Sequence, residues 1–255
     1  MKKRLATLLL ASVGLATAGS AEVLVDYQFN DVDGTLFENA AYTGTQVGGD
    51  RDGNDEWIVT NGALRIVKTA GIAKPEGTLA SSYTSGIVTT KVTVASYDLS
   101  GGTQNNMDST FGVRNVADKD NVAVGFRFTT DGTGEVAARS GAPGSSGNSG
   151  DLGTSSSTPL YLLTVLDLDT GVATGSYMFE GDADWTLIKS GTSSFTNGFD
   201  TLSWIVESHQ YGDDDYINID SVTTTYTAIP EPATLGMIGM IGVGILFIRR
   251  RRFMI

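Results

Sequence analysis

The chain of 255 residues contains no cysteine and a single histidine. Without cysteine an exported chain cannot be stapled by disulfides, so its stability has to come from burial, sheet hydrogen bonding or bound ions. Thiolate catalysis and thiolate metal sites are excluded with it. The one histidine, His209, lies in "ESHQYGDDD" where a predicted strand runs into an acidic turn, and no G-x-S-x-G occurs. A Ser/His/Asp hydrolase is therefore not expected. Positive charge is scarce, and the net charge is −12. Lys2, Lys3, Arg4 and the run Arg249 to Arg252 stand at the extreme ends, and between Glu22 and Ala228 only 10 Lys+Arg face 28 Asp+Glu, a net of −18. Such a surface repels phosphate backbones and argues against a nucleic-acid partner. It suits solubility, cation binding or a salty medium. A 3.6-residue apolar period is missing outside the termini, so no helix is expected to cover a sheet.

Strand patterns fill the middle of the chain. "VLVDYQF" (Val23–Phe29) alternates apolar and polar residues, as a half-buried strand does. "ALRIV" (Ala63–Val67), "IVTTKVTVASYDL" (Ile87–Leu99), "TFGVRN" (Thr110–Asn115) and "NVAVGFRFTT" (Asn121–Thr130) follow. Later come "LYLLTVLDL" (Leu160–Leu168), "VATGSYMFE" (Val172–Glu180), "WTLIK" (Trp185–Lys189), "TLSWIVES" (Thr201–Ser208) and "YINIDSVTTTY" (Tyr216–Tyr226). Turn chemistry separates them: "NG" at 61–62, "DG" at 131–132 and "DTG" at 169–171. Antiparallel strands in this number, without helices, predict an all-β, two-sheet sandwich over residues 22–227. The low-complexity stretch Gly141–Pro159 reads as a flexible surface loop inside one continuing meander.

Few residues in this domain carry chemistry. Glycoside hydrolases need two carboxyls about 5–9 Å apart. Glu180-Gly181-Asp182 begins an E-x-D-x-x-E pattern, but Trp185 stands where the third acid belongs, so "EGDADW" is expected to be a turn. Two oxygen-rich stretches suggest Ca²⁺, which takes six to eight oxygen ligands. One runs from Asp50 through Asp52 and Asn54 to Glu56; the other is Asp213, Asp214 and Asp215. The first opens like an EF-hand, but its Gly is misplaced and position 12 is Asn61. Solvated turns are the alternative for both. Among the aromatics, Trp204 alternates with Leu202 and Val206 and is expected in the core. Trp57 and Trp185, flanked by acidic turns, are candidates for stacking on a sugar, as is Tyr211.

Both ends read as addresses. Residues 1–21 have a cationic start, an apolar stretch from Leu5 to Leu15 and then small residues, the composition of a signal peptide. Gly19-Ser20-Ala21 predicts a cut between Ala21 and Glu22, with Ala16-Thr17-Ala18 as an alternative. At the other end Pro230-Glu231-Pro232 precedes sixteen uncharged residues, 233–248, and then Arg249, Arg250, Arg251 and Arg252. As a helix the apolar run would span about 24 Å, slightly short of a ~30 Å hydrocarbon core. The arginines would hold its far end on the cytoplasmic side. Glycines 236, 239, 242 and 244 suit close packing against another helix.

This tail, residues 228–255, resembles the PEP-CTERM sorting signal of Gram-negative bacteria. The resemblance implies signal peptidase and an exosortase as processing partners, with a cut near Pro230–Pro232. It also implies transient anchoring in the inner membrane, then the cell surface or extracellular space, and an association with exopolysaccharide and biofilm. "VDYQFND", "LDLDTGVATGSYMFEG" and "DYINIDSVTTTY" resemble the concanavalin A-like (LamG-like) jelly rolls often found ahead of such tails. Three readings stand on these observations: a non-catalytic, exported envelope or matrix protein that binds glycan, a glycan-active enzyme on the same fold, and a calcium-stabilised structural surface protein. The missing catalytic pair favours the first and third.

Overall fold

A computed structural model describes residues 20–48, 57–68, 73–100, 107–115, 121–128, 134–141, 146–148, 153–192, 198–206 and 213–229. The first strands are β1 (Glu22–Tyr27), β2 (Tyr42–Gly44), β3 (Ile58–Thr60), β4 (Ala63–Val67), β5 (Glu76–Tyr83) and β6 (Ile87–Asp98). Then come β7 (Met107–Arg114), β8 (Asn121–Phe128), β9 (Gly134–Gly141), β10 (Ser146–Asn148) and β11 (Ser155–Ser156). The last are β12 (Leu160–Asp167), β13 (Val172–Phe179), β14 (Thr186–Thr192), β15 (Phe199–Val206) and β16 (Tyr216–Thr227). The only helix among the described residues is one 3₁₀ turn, Phe37–Asn39. None there is long and apolar enough to cross a membrane. Residues 233–248 lie outside the described set.

The strands form two antiparallel sheets. One runs β14-β13-β12-β6-β16-β1-β2, with β11 beside β6 and the β3–β4 hairpin joined through β4 to β16. The other runs β10-β9-β8-β7-β15-β5. Only β12–β14 and β7–β10 are meanders, and the low-complexity stretch crosses between the sheets instead of continuing one of them. Its described parts are paired: β10 with β9, and β11 with β6. Backbone pairing requires no apolar alternation, so serine and glycine can join a sheet edge that their side chains do not announce.

Local chemistry explains the elements. In β12, "LYLLTVLD", every second residue from Leu160 is buried, and Leu160, Leu162 and Leu166 stand opposite Val94, Val92 and Val88 of β6. A one-residue slip would turn all of them to water, so burial sets the register. The β3–β4 hairpin turns on Asn61 and Gly62, both at positive φ (53° and 74°), as a two-residue type I′ loop requires. Between β12 and β13 the Asp167 carboxylate accepts hydrogen bonds from the amides of Asp169 and Thr170 (2.9 and 3.1 Å).

Glu22–Tyr226 forms one compact unit with its core between the sheets. An aromatic cluster occupies one region of that core. Trp204 of β15 lies 5.2 Å from both Phe37 and Phe111 and 5.6 Å from Tyr27, all ring to ring. Tyr27 is fixed a second way, because its hydroxyl donates to the carbonyl of Val47 (3.1 Å) and accepts from the Val47 amide (3.2 Å). Burial pushes the Tyr27 pKa from 10.0 up to about 12, against a smaller opposing effect of the Val47 bond. A folded-state pKa above the unfolded value gives stability that is intact below about pH 10 and lost as the pH climbs towards 12. Tyr27→Phe is therefore expected to flatten the alkaline limb of the stability–pH curve by about 2 kcal/mol. At neutral pH it should cost about 1 kcal/mol for the lost hydrogen bonding. Denaturant titrations from neutral pH to pH 12 would show this, and an unchanged alkaline slope would refute it.

Candidate ligand cleft

An open cleft of ≈ 490 Å³ lies where β6 ends and β16 begins, lined by Tyr97, Asp98, Ser155, Ser156, Ser157, Thr158 and Tyr216. Its floor follows from strand alternation. Burial in β6 falls on Val88, Thr90, Val92 and Val94 and then shifts phase to Tyr97 and Leu99. Asp98, between two core residues, is thereby turned to the outer face of the larger sheet. In β16 the buried pair Ile217 and Ile219 turns Tyr216 and Asn218 to that same face. The Asn218 side-chain amide donates to the Ser96 hydroxyl (2.9 Å), tying β16 to the end of β6. β11 forms the wall, with Ser155 opposite Asp98, Ser156 opposite Tyr97, and the Leu99 amide bonded to the Thr154 carbonyl (2.8 Å).

Part of this polar lining is already engaged. Asp98 Oδ1 accepts from the amide and hydroxyl of Ser100 (3.1 and 2.7 Å). The Ser156 hydroxyl donates to the Thr158 carbonyl and accepts from its amide (3.2 and 3.1 Å). The rest is open: among the described residues, Asp98 Oδ2 and the hydroxyls of Ser155, Ser157, Thr158 and Tyr216 have no hydrogen-bond partner. One face of the Tyr216 ring is covered by the Arg65 guanidinium, 4.2 Å from the ring centroid. An acceptor carboxylate beside several hydroxyls, each able to donate and accept, is a surface for a polyhydroxylated ligand.

The residues picked from sequence have different fates. Trp57 is not a surface stacker: it is fully buried, its ring lies 5.8 Å from Phe37, and its carbonyl accepts from the Phe37 amide (3.0 Å). Its neighbour Ile58 opens β3, so the ring is carried inward despite the acidic stretch before it. Trp185 is 38% exposed. It ends the turn after β13, in which the Asp182 carboxylate accepts from the Phe179 amide (3.0 Å) and the Glu180 amide donates to the Pro159 carbonyl (2.8 Å). Asp182 thus caps a turn, and Glu180 lies in it.

Asp213 and Asp215 meet different surroundings. Asp213 is bonded to Lys68 (2.7 Å), whose ammonium holds its carboxyl below the usual range, whereas Asp215 is buried. Among the described residues no three acidic or histidine side chains gather as a metal site. Asp50, Asp52, Asn54, His209, Tyr211 and Pro230 to Arg252 lie outside the described residues. Ala21 directly precedes β1, and Glu22, its first residue, pairs with Tyr226 and accepts a hydrogen bond from the Tyr83 hydroxyl (3.2 Å). The cleft residues had no sequence signal as a group, being far apart along the chain.

No protein-family model matches the sequence, and no curated protein does. Solved structures match in shape. The CBM2 module of the evolved Dit of Lactobacillus casei BL23 phage J-1 is 10% identical with a TM-score of 0.50, covering 84% of this chain and 99% of that one. The exoplasmic/lumenal domain of VIP36, in its Ca²⁺/Man2-bound form, is 9% identical with a TM-score of 0.51, over 77% and 87%. The lectin UEA-II complexed with galactose is 8% identical with a TM-score of 0.51, over 83% and 100%. The fold is a concanavalin A-like, lectin-type β-sandwich. At these identities the likeness is one of fold alone.

Proposed function

We propose that the chain is an exported, non-catalytic glycan-binding protein of the cell envelope or extracellular matrix. The observation that carries this reading is the open cleft, with its unengaged carboxylate oxygen and hydroxyls, on a lectin-type sandwich. Proteins of this shape include structures with galactose and with Man2 bound. A glycoside hydrolase would need a second carboxyl at fixed separation from the first, and among the described residues Asp98 is the one acid that lines the cleft. Binding of the full chain to a glycan array tests the reading. Retention of at least one oligosaccharide, lost in Ser155→Ala/Tyr216→Phe, is expected; an array without signal would refute it.

Export and processing complete the proposal. The reading is of a leader, residues 1–21, removed by signal peptidase, and of a PEP-CTERM tail recognised by an exosortase while its helix rests in the inner membrane. Glu22 and Tyr226 are paired neighbours, so the domain begins and ends at one pole. Tyr216 lies ten residues back along β16, about 33 Å away at ~3.3 Å per residue. The cleft therefore lies at the end of the domain away from Tyr226. Mass spectrometry of the mature protein from an exosortase-bearing host is expected to show Glu22 at the start and no Arg249–Arg252. An intact C-terminus on surface-exposed protein would contradict that.

A further inference from the structure

The cleft sits on a pole of the sandwich that carries several carboxylates. Asp98 lines it. Asp213, Asp214 and Asp215 immediately precede Tyr216, and Asp182 and Asp184 lie in the turn beyond β13, whose end pairs with the start of β12. Strand directions bring these together: Leu160 is opposite both Val94 and Phe179, so the end of β6, the start of β12 and the end of β13 share one pole. The Asn218–Ser96 bond places the start of β16 there too. Two described cations stand at the start of β16. Lys68 is bonded to Asp213 at 2.7 Å, and Arg65 lies over the Tyr216 ring at 4.2 Å without lining the cleft.

We infer that the cleft selects glycans without anionic groups, neutral or amine-bearing, and rejects uronate- and sulfate-bearing ones. This rests on the glycan-binding reading above and narrows its ligand class. The unengaged Asp98 Oδ2 can only accept a hydrogen bond, so it suits sugar hydroxyls or an ammonium and repels a carboxylate. The surrounding acids add repulsion that is strongest at low salt, where screening reaches only beyond about 30 Å, and is largely lost at ~1 M, where it acts within about 3 Å. Neutral and cationic sugars meet no such penalty.

The test uses isothermal titration of the full chain with isomaltotriose, the deacetylated chitosan trisaccharide and trigalacturonate, at low and high ionic strength. At low salt trigalacturonate is expected to bind at least about tenfold more weakly than the tightest of the three. That gap should narrow at high salt and in Asp98→Asn. Trigalacturonate binding as tightly as the others at low salt would overturn the selectivity and leave the glycan-binding reading standing. Binding of none of the three would overturn the selectivity, and an array also without signal would remove the glycan-binding reading with it.

Discussion

Trp204→Ala is expected to lower the free energy of unfolding by about 3–5 kcal/mol, the usual cost of emptying a large aromatic site in a packed core. Trp204 is 1% exposed and touches Tyr27 and Phe37 across the sandwich and Phe111 beside it. Its loss would remove contacts within and between the sheets, and the strand backbones cannot close the void without breaking ladder hydrogen bonds. Trp185→Ala is the contrast. That ring is 38% exposed at the end of a turn, and its removal should stay within about 0.5 kcal/mol. Denaturant midpoints of the two variants decide the matter, and equal losses would contradict the placement of both rings.

Asp98→Ala is expected to weaken glycan binding by about 10- to 100-fold, because hydrogen bonds to a charged acceptor contribute about 1.5–3 kcal/mol. The carboxylate is positioned for this by the phase shift in β6 and by Ser100, which holds Oδ1 at 2.7 Å and leaves Oδ2 unengaged. Ser100→Ala separates the two roles. It loosens the hold on Oδ1 but keeps the charge, so binding should fall by less than in Asp98→Ala. Thermal unfolding of both variants should stay close to that of the unaltered chain, since Asp98 lies at the end of its strand. Undiminished binding in Asp98→Ala would place the ligand elsewhere.

Much of the sandwich was legible along the chain. Ala63–Val67 was read with its bounds unchanged, and Ile87–Leu99, Leu160–Leu168 and Tyr216–Tyr226 came within one residue of β6, β12 and β16. These strands bury one face against an apolar layer, so a period of two is written into them. The strands that went unread lack that mark. β5, "EGTLASSY", and β9, "GEVAARSG", are built mostly of small residues, and β2, β3, β10 and β11 are only two or three residues long, held by backbone pairing. The cleft was not legible. Its wall comes from the low-complexity stretch, which composition assigns to a loop, and its floor from outward-facing residues of strands whose inward faces supplied the pattern. Trp57 shows the same limit, since its acidic neighbours suggested exposure although its ring belongs to the core.

By itself the sequence determined that this is an all-β, acidic chain without disulfides, and which face of its long strands is buried. Those properties follow from composition and from alternation over a few residues, both local. Only the tertiary structure decided that β6 lies between β12 and β16, that the low-complexity stretch crosses from one sheet to the other, and that Asp98, Ser155 and Tyr216 line one cleft. Neighbours in a sheet are chosen by how well whole faces fill the common core. That choice depends on every strand at once, and no short stretch of sequence contains it.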